Sequence, residues 1–259
     1  MKIGCCISLA DVTKSDKISV LRRLGYDYAE LPLSQIADLS DEDFKRLLTK
    51  INELPSEACN LFYPPSVRLT GADVNMKTVH DYTRRAVKRA SELGAEIIVL
   101  GSGGAKNIPE GFPHDKAKEQ FMAILQSINE IAAAYGITIV LEPLNTNESN
   151  FITTVTEGLE IVREAGCANI QLLADYYHMR MENESLNVIA EAKEHLRHVH
   201  IAAKEGRAFP KDGDGEDYKS LFDALKATGY TGRVSIEGST RNFEDDARAA
   251  VLIFKRYAG

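Results

Sequence analysis

Residues 137–145 read ITIVLEPLN, an apolar, β-branched run that stops at a carboxylate, Glu142. Three later runs share that design: Asp175 in IQLLADYYH, His200 in HVHIA and Glu237 in RVSIEG. The separations are 33 residues (142 to 175), 25 (175 to 200) and 37 (200 to 237), each enough for a strand, a crossover helix and two loops. Four successive units therefore deliver one oxygen or imidazole donor each. In a parallel sheet closed into a barrel, equivalent strand ends share one rim, so such residues converge on a point.

Working outward, short apolar runs at 2–8, 28–33, 57–64 and 96–102 bring the strands to eight. Helical periodicity lies between them. Over 76–93, Val79, Tyr82, Ala86, Val87, Ala90 and Leu93 recur at helical spacing and Gly94 ends the pattern. Other helices are expected near 14–24, 41–52, 114–134, 154–166, 185–193, 216–228 and 241–256. Gly25, Gly94, Gly136, Gly166 and Gly229 each follow a helix and precede a strand, where a cap often needs positive φ. Strict β/α alternation implies a parallel sheet with helices outside, and an open doubly wound sheet is the rival. The eightfold count favours a (β/α)8 TIM barrel, as does the length of 259 residues, close to the usual barrel size of about 250. No Pro-, Ser- or charge-rich linker divides the chain, so 1–259 is expected to be one domain.

Composition narrows the partners. A net charge of −7 disfavours nucleic acid, whose binding draws on Lys and Arg to neutralise phosphates. No apolar run approaches the roughly 20 residues that span a bilayer, and no signal-peptide pattern is present, so a cytoplasmic protein is expected. Cys5, Cys6, Cys59 and Cys167 show no CxxC spacing and read as buried reduced thiols.

Two Glu, one Asp and one His form an oxygen and imidazole donor set without thiolate. It suits Mn²⁺ first, then Mg²⁺ or Co²⁺, with Zn²⁺ also compatible. Three clustered carboxylates would repel one another unless a divalent cation stood between them. The glycine-rich loop 101–113, GSGGAKNIPEGFP, reads as phosphate-binding amides, a lid, or a long turn needing positive φ. Lys106, Lys204 and Arg207 are candidate cations for a substrate phosphate or carboxylate. Phe62, Tyr63, Phe112, Phe151 and Phe209 are candidate pocket walls, with core packing the default.

The segments LEPLN (141–145), ADYYHM (174–179), HVHIA (198–202) and SIEG (235–238) resemble the xylose isomerase-like TIM-barrel superfamily. Within it the nearest likeness is to D-tagatose 3-epimerase-like ketose epimerases and hydroxypyruvate isomerases. It follows strand order along the whole chain and is strongest from residue 96 onward. The resemblance implies that Glu142, Asp175, His200 and Glu237 are metal ligands, with Glu142 and Glu237 also the catalytic acid/base pair. It further implies substrate contacts for His178, Glu148 and Arg207, although Arg207 stands one residue beyond the family position. Asn145 is a candidate for orienting a ligand.

The expected activity is a divalent-metal-dependent sugar isomerase or epimerase, foremost a ketose 3-epimerase, acting through an enediolate on a small carbohydrate or hydroxy-keto acid. A lyase of inosose or dehydroshikimate dehydratase type is the alternative. An apurinic endonuclease and a silent sugar-binding barrel come behind. The resemblance also makes a homo-oligomer compatible with the chain.

Overall fold

The computed structural model describes residues 1–259. Eight parallel strands close in sequence order: β1 (Lys2–Cys6), β2 (Tyr28–Pro32), β3 (Ala58–Asn60), β4 (Ile97–Leu100), β5 (Thr138–Leu141), β6 (Ile170–Asp175), β7 (Leu196–Ile201) and β8 (Arg233–Ile236), with β8 pairing back onto β1. The rival open sheet is excluded.

The helices follow the periodicity that announced them. In Met76–Leu93, the six apolar positions named above are buried together with Thr83. Asn75 caps its first turn through Thr78 N, and Gly94 ends it at φ 86°. All five glycines after helices have positive φ. Short segments escaped the sequence reading: Leu33–Ile36, Gly103–Lys106, Tyr176–Met181 and the 3₁₀ turn Glu205–Arg207. None is long enough to display a periodic stripe. No helix of the structure is long and apolar enough to cross a membrane.

Outward strand residues join the helices in one large core. Inside the barrel, Tyr28, Ala58, Ile97, Val99, Val140 and Leu173 pack as a separate cluster. At the N-terminal end of the strands, Lys2 and Arg233 both bind Glu57 at 2.7 Å, and Arg233 also reaches Glu96 at 2.7 Å. These ion pairs form the floor.

One irregularity positions the chemistry. Between β6 and β7 the register passes from Leu172↔Leu196 to Leu173↔His198, so Arg197 is an extra residue. A bulge of this kind flips the following side chains to the other face. His198 and His200 turn inward as a result, and His200 comes level with Asp175.

The interior tolerates little change. A Cβ built on Gly4 would collide with the Tyr28 ring. Gly4→Ala is therefore expected to destabilise the fold by about 1–3 kcal/mol, the usual effect of overpacking, read as a lower denaturation midpoint at unchanged m value.

Candidate active site

Glu142, Asp175, His200 and Glu237 meet at the C-terminal mouth, where one donor atom from each lies within 4.8 Å of all the others. Asp175 and His200 are almost wholly buried, Glu142 is 5% exposed, and Glu237 is more open. His200 Nδ1 lies 3.1 Å from Glu142 Oε1 and 3.3 Å from Glu237 Oε2.

The far side of the His200 ring is also held. Its Nε2 meets Glu30 Oε1 at 3.0 Å, and Glu30 Oε2 receives His198 Nε2 at 2.8 Å and the Ser235 hydroxyl at 2.6 Å. Ser235 in turn contacts the Tyr28 hydroxyl at 2.6 Å. Burial would raise the Glu30 carboxyl, but the two histidines outweigh it and hold Glu30 well below the usual carboxylate range. Glu30 is thus an anion that orients His200 and leaves Nδ1 facing the other carboxylates. The sequence reading missed it. Its signal was a lone charge within the otherwise apolar run YAELPL.

The two candidate acid/base residues differ in electrostatics. Burial, followed by repulsion from Glu237, raises the Glu142 carboxyl. Burial also acts to raise Glu237, but His200 and then Arg207 overcome it and draw that carboxyl down to about 2. Environments that push two carboxyl groups apart in this way suit one to carry a proton and the other to take one.

Arg207 reaches the cluster despite its offset. Its guanidinium pairs with Glu237, lies 3.4 Å from Asp175 and 3.5 Å from Glu148, and sits 4.7 Å from the Tyr177 ring centroid. Left-handed backbone at Gly206 and Arg207, and pairing of Ala208 with Ser239, bend the loop inward. His178 is 2% exposed. Its Nδ1 accepts the Asn145 backbone N–H at 3.1 Å, so the proton resides on Nε2, which is 3.5 Å from Asp175 and otherwise unpartnered. Asn145 Nδ2 also donates to Glu148 Oε1 at 3.1 Å. All seven predicted site residues thus border one mouth.

Other expectations change. Lys106 is no mouth cation: it is wholly buried, donates from Nζ to the Glu142 carbonyl at 2.9 Å, and is lowered to about 7, chiefly by burial. Lys204 is exposed on the loop after β7. Loop 101–113 earns its glycines mainly through close approach, since a Cβ on Gly101 would strike the Glu142 carboxylate and one on Gly103 would crowd Leu144 and the Glu148 carbonyl. Only Gly111 among its glycines has positive φ. Phe62 and Tyr63 stack with Tyr82 in the core, and Phe151 packs on Phe121. Phe209 does line a cavity at the mouth. The four cysteines are unpaired, but only Cys5 and Cys59 are buried; Cys6 and Cys167 are partly exposed, and Cys6 approaches Glu30 and His200. Burial, then the charges of Glu30 and Glu237, push the Cys6 thiol well above the usual range, so it remains S–H.

Residues 18–257 match the family model described as xylose isomerase-like TIM barrel. The chain belongs to that family. Relatives include the 3-dehydro-D-guloside 4-epimerase of Escherichia coli, 32% identical over 249 residues covering 90% of each chain. The L-ribulose 3-epimerase of Mesorhizobium japonicum is 34% identical over 231 residues, covering 87% of this chain and 75% of the relative. Among solved structures, the D-psicose 3-epimerase of Clostridium cellulolyticum with D-tagatose superposes at a TM-score of 0.87, with 21% identity and coverage of 100% and 99%, a likeness of fold. With relatives of this kind, the chain is an enzyme of the isomerase and epimerase class.

The packing of loop 101–113 against Glu142 carries a test. Gly101→Ala is expected to lower turnover at least about tenfold by displacing the carboxylate, in line with the sensitivity of catalysis to misplacement. Circular dichroism should show the fold retained.

Proposed function

We propose that this protein is a divalent-metal-dependent sugar epimerase, foremost a ketose 3-epimerase, in which Glu142 and Glu237 move the proton. The observation that carries the proposal is the convergence of both carboxylates on Nδ1 of His200, at 3.1 and 3.3 Å, within the cluster of four donors.

Three carboxylates and one imidazole fit a hard or borderline divalent ion, Mn²⁺ by preference, with Mg²⁺, Co²⁺ or Zn²⁺ also matching the donor set. Glu142, Asp175, His200 and Glu237 would hold it. When bound, such an ion supplies Lewis-acid stabilisation of the negative charge that develops beside a carbonyl as its neighbouring proton departs.

The chain's own groups do the rest. Glu237, held as an anion, removes the proton from the carbon next to the carbonyl, and an enediolate results. Glu142, on the other side of the site, returns a proton to the opposite face and inverts that carbon. The reverse reaction exchanges the two roles. His178, with its proton on Nε2, offers a donor to a substrate oxygen, and Glu148 and Arg207 face sugar hydroxyls. Delivery of the proton to the neighbouring carbon would instead relocate the carbonyl. The activities of the relatives support epimerisation: the 3-dehydro-D-guloside 4-epimerase, the L-ribulose 3-epimerase and a D-psicose 3-epimerase all invert a carbon of a sugar.

A panel of ketoses incubated with protein and Mn²⁺ in D₂O tests the reading. Deuterium should enter the carbon next to the carbonyl, with an epimer as product. Loss of a hydroxyl would instead identify a dehydratase. Glu142→Gln and Glu237→Gln should each reduce exchange by about 10²- to 10⁴-fold, the usual contribution of a positioned acid or base. Wild-type exchange in either variant would remove that residue from the mechanism.

Glu30 gives a check independent of turnover. Glu30→Gln removes the anion behind His200 and should weaken Mn²⁺ binding by roughly 10- to 100-fold, measured by isothermal titration calorimetry. An unchanged dissociation constant would show that the ring needs no such support.

A further inference from the structure

Asn60, at the end of β3, has two amide ends in different situations. A carboxylate can only accept, so its 3.0 Å contact with Glu237 Oε1 makes Nδ2 the donor. Oδ1 is then the atom left over, buried and without a hydrogen-bond partner, in a side chain that is only 7% exposed. Native interiors rarely leave such an oxygen unpaired, and an exception next to a candidate catalytic acid calls for a function.

The surroundings indicate which one. Asn60 lines a cavity of about 270 Å³ that opens at the mouth among the ends of β1, β2, β3 and β8. The next residue, Leu61, holds a left-handed backbone at φ 47°, rare for leucine, and is 47% exposed on the cavity wall. Strain that keeps a large apolar side chain out of the core is typical of a ligand-facing position. Phe209 and Phe243 add apolar surface, while Ser8, Gln35 and Thr240 add hydrogen-bonding groups. Apolar faces interspersed with neutral polar groups match the C–H faces and hydroxyls of a sugar. The cavity's two charged side chains, Asp11 and Lys17, pair at 2.7 Å, and Lys17 Nζ also lies 4.5 Å from the Phe243 ring centroid. No lining cation remains free for a phosphate.

Resting on the epimerase reading, we propose that Asn60 is a substrate-recognition residue: Nδ2 holds Glu237 while Oδ1 accepts a hydrogen bond from a hydroxyl on the uncharged arm of the sugar that extends into this cavity. One side chain thereby links the fit of the distal part of the substrate to the orientation of a proton-transferring carboxylate.

The test compares three probes: whichever of D-fructose and D-tagatose binds better, its 6-phosphate, and erythrulose, a four-carbon ketose that lacks most of the arm. Binding is followed by ligand-observed NMR with diamagnetic Mg²⁺, and deuterium uptake is followed in parallel. Wild-type protein should bind the free hexulose at least about tenfold more tightly than either other probe. In Asn60→Ala the preference for hexulose over erythrulose should shrink about tenfold, the usual effect of losing one hydrogen bond to a hydroxyl. Erythrulose binding by the same variant reports that the mouth is intact. An equal loss for both sugars would reduce Asn60 to a support for Glu237 and overturn the proposal, as would a 6-phosphate bound as tightly as the free sugar. Failure of the epimerase reading would look different: the binding preferences would stand while no deuterium entered any sugar.

Discussion

The mouth of this barrel depends on one imidazole ring shared among three carboxylates. Glu30 takes one nitrogen of His200, and Glu142 and Glu237 approach the other. Buried acids this close would repel and resist ionisation in isolation. Burial lowers the proton affinity of His200, but Glu30 and then Glu237 outweigh it and raise it well above the usual histidine range. Without a metal ion the ring thus serves as counter-charge to these acids, and Arg207 adds a second from the loop above; a divalent ion held on Nδ1 would replace the ring's proton.

The barrel achieves the placement through backbone register as much as through side-chain choice. With a regular β7, His198 and His200 would face the helices and their polar atoms would be buried in hydrocarbon. The extra residue at Arg197 turns them inward, where Glu30 can receive both. Room for the supporting chain below comes from Gly4, which lets the Tyr28 ring cross the barrel to Ser235. Above, Gly101 leaves space for the Glu142 carboxylate, and Lys106 ties that loop to the Glu142 carbonyl.

Much of this was legible in the sequence, for identifiable reasons. A polar residue closing an apolar strand is a contrast that one sequence displays, and four in succession pointed to a common rim. Helix Met76–Leu93 was equally plain, because eighteen residues give a periodic stripe room to repeat. Glu30 was passed over because its strand was counted for its apolar neighbours, and its partners lie 168 and 170 residues away. The bulge at Arg197 leaves no compositional mark. Lys106 misled because a lysine in a glycine-rich loop ordinarily projects into water, and only the fold shows Gly101 and Gly103 pulling that loop onto β5. Asn60 drew no notice inside the run at 57–64, because the partner that marks it, Glu237, lies 177 residues away.

Arg207 gives the acidic mouth a tethered counter-ion. Its guanidinium holds the same carboxylate oxygens that any arriving cation would seek, so the two compete for one set of electron pairs. The positive-φ backbone at Gly206 and Arg207 folds the loop back on itself, so the short reach from β7 to the mouth is made by the main chain and the guanidinium arrives with little freedom to wander.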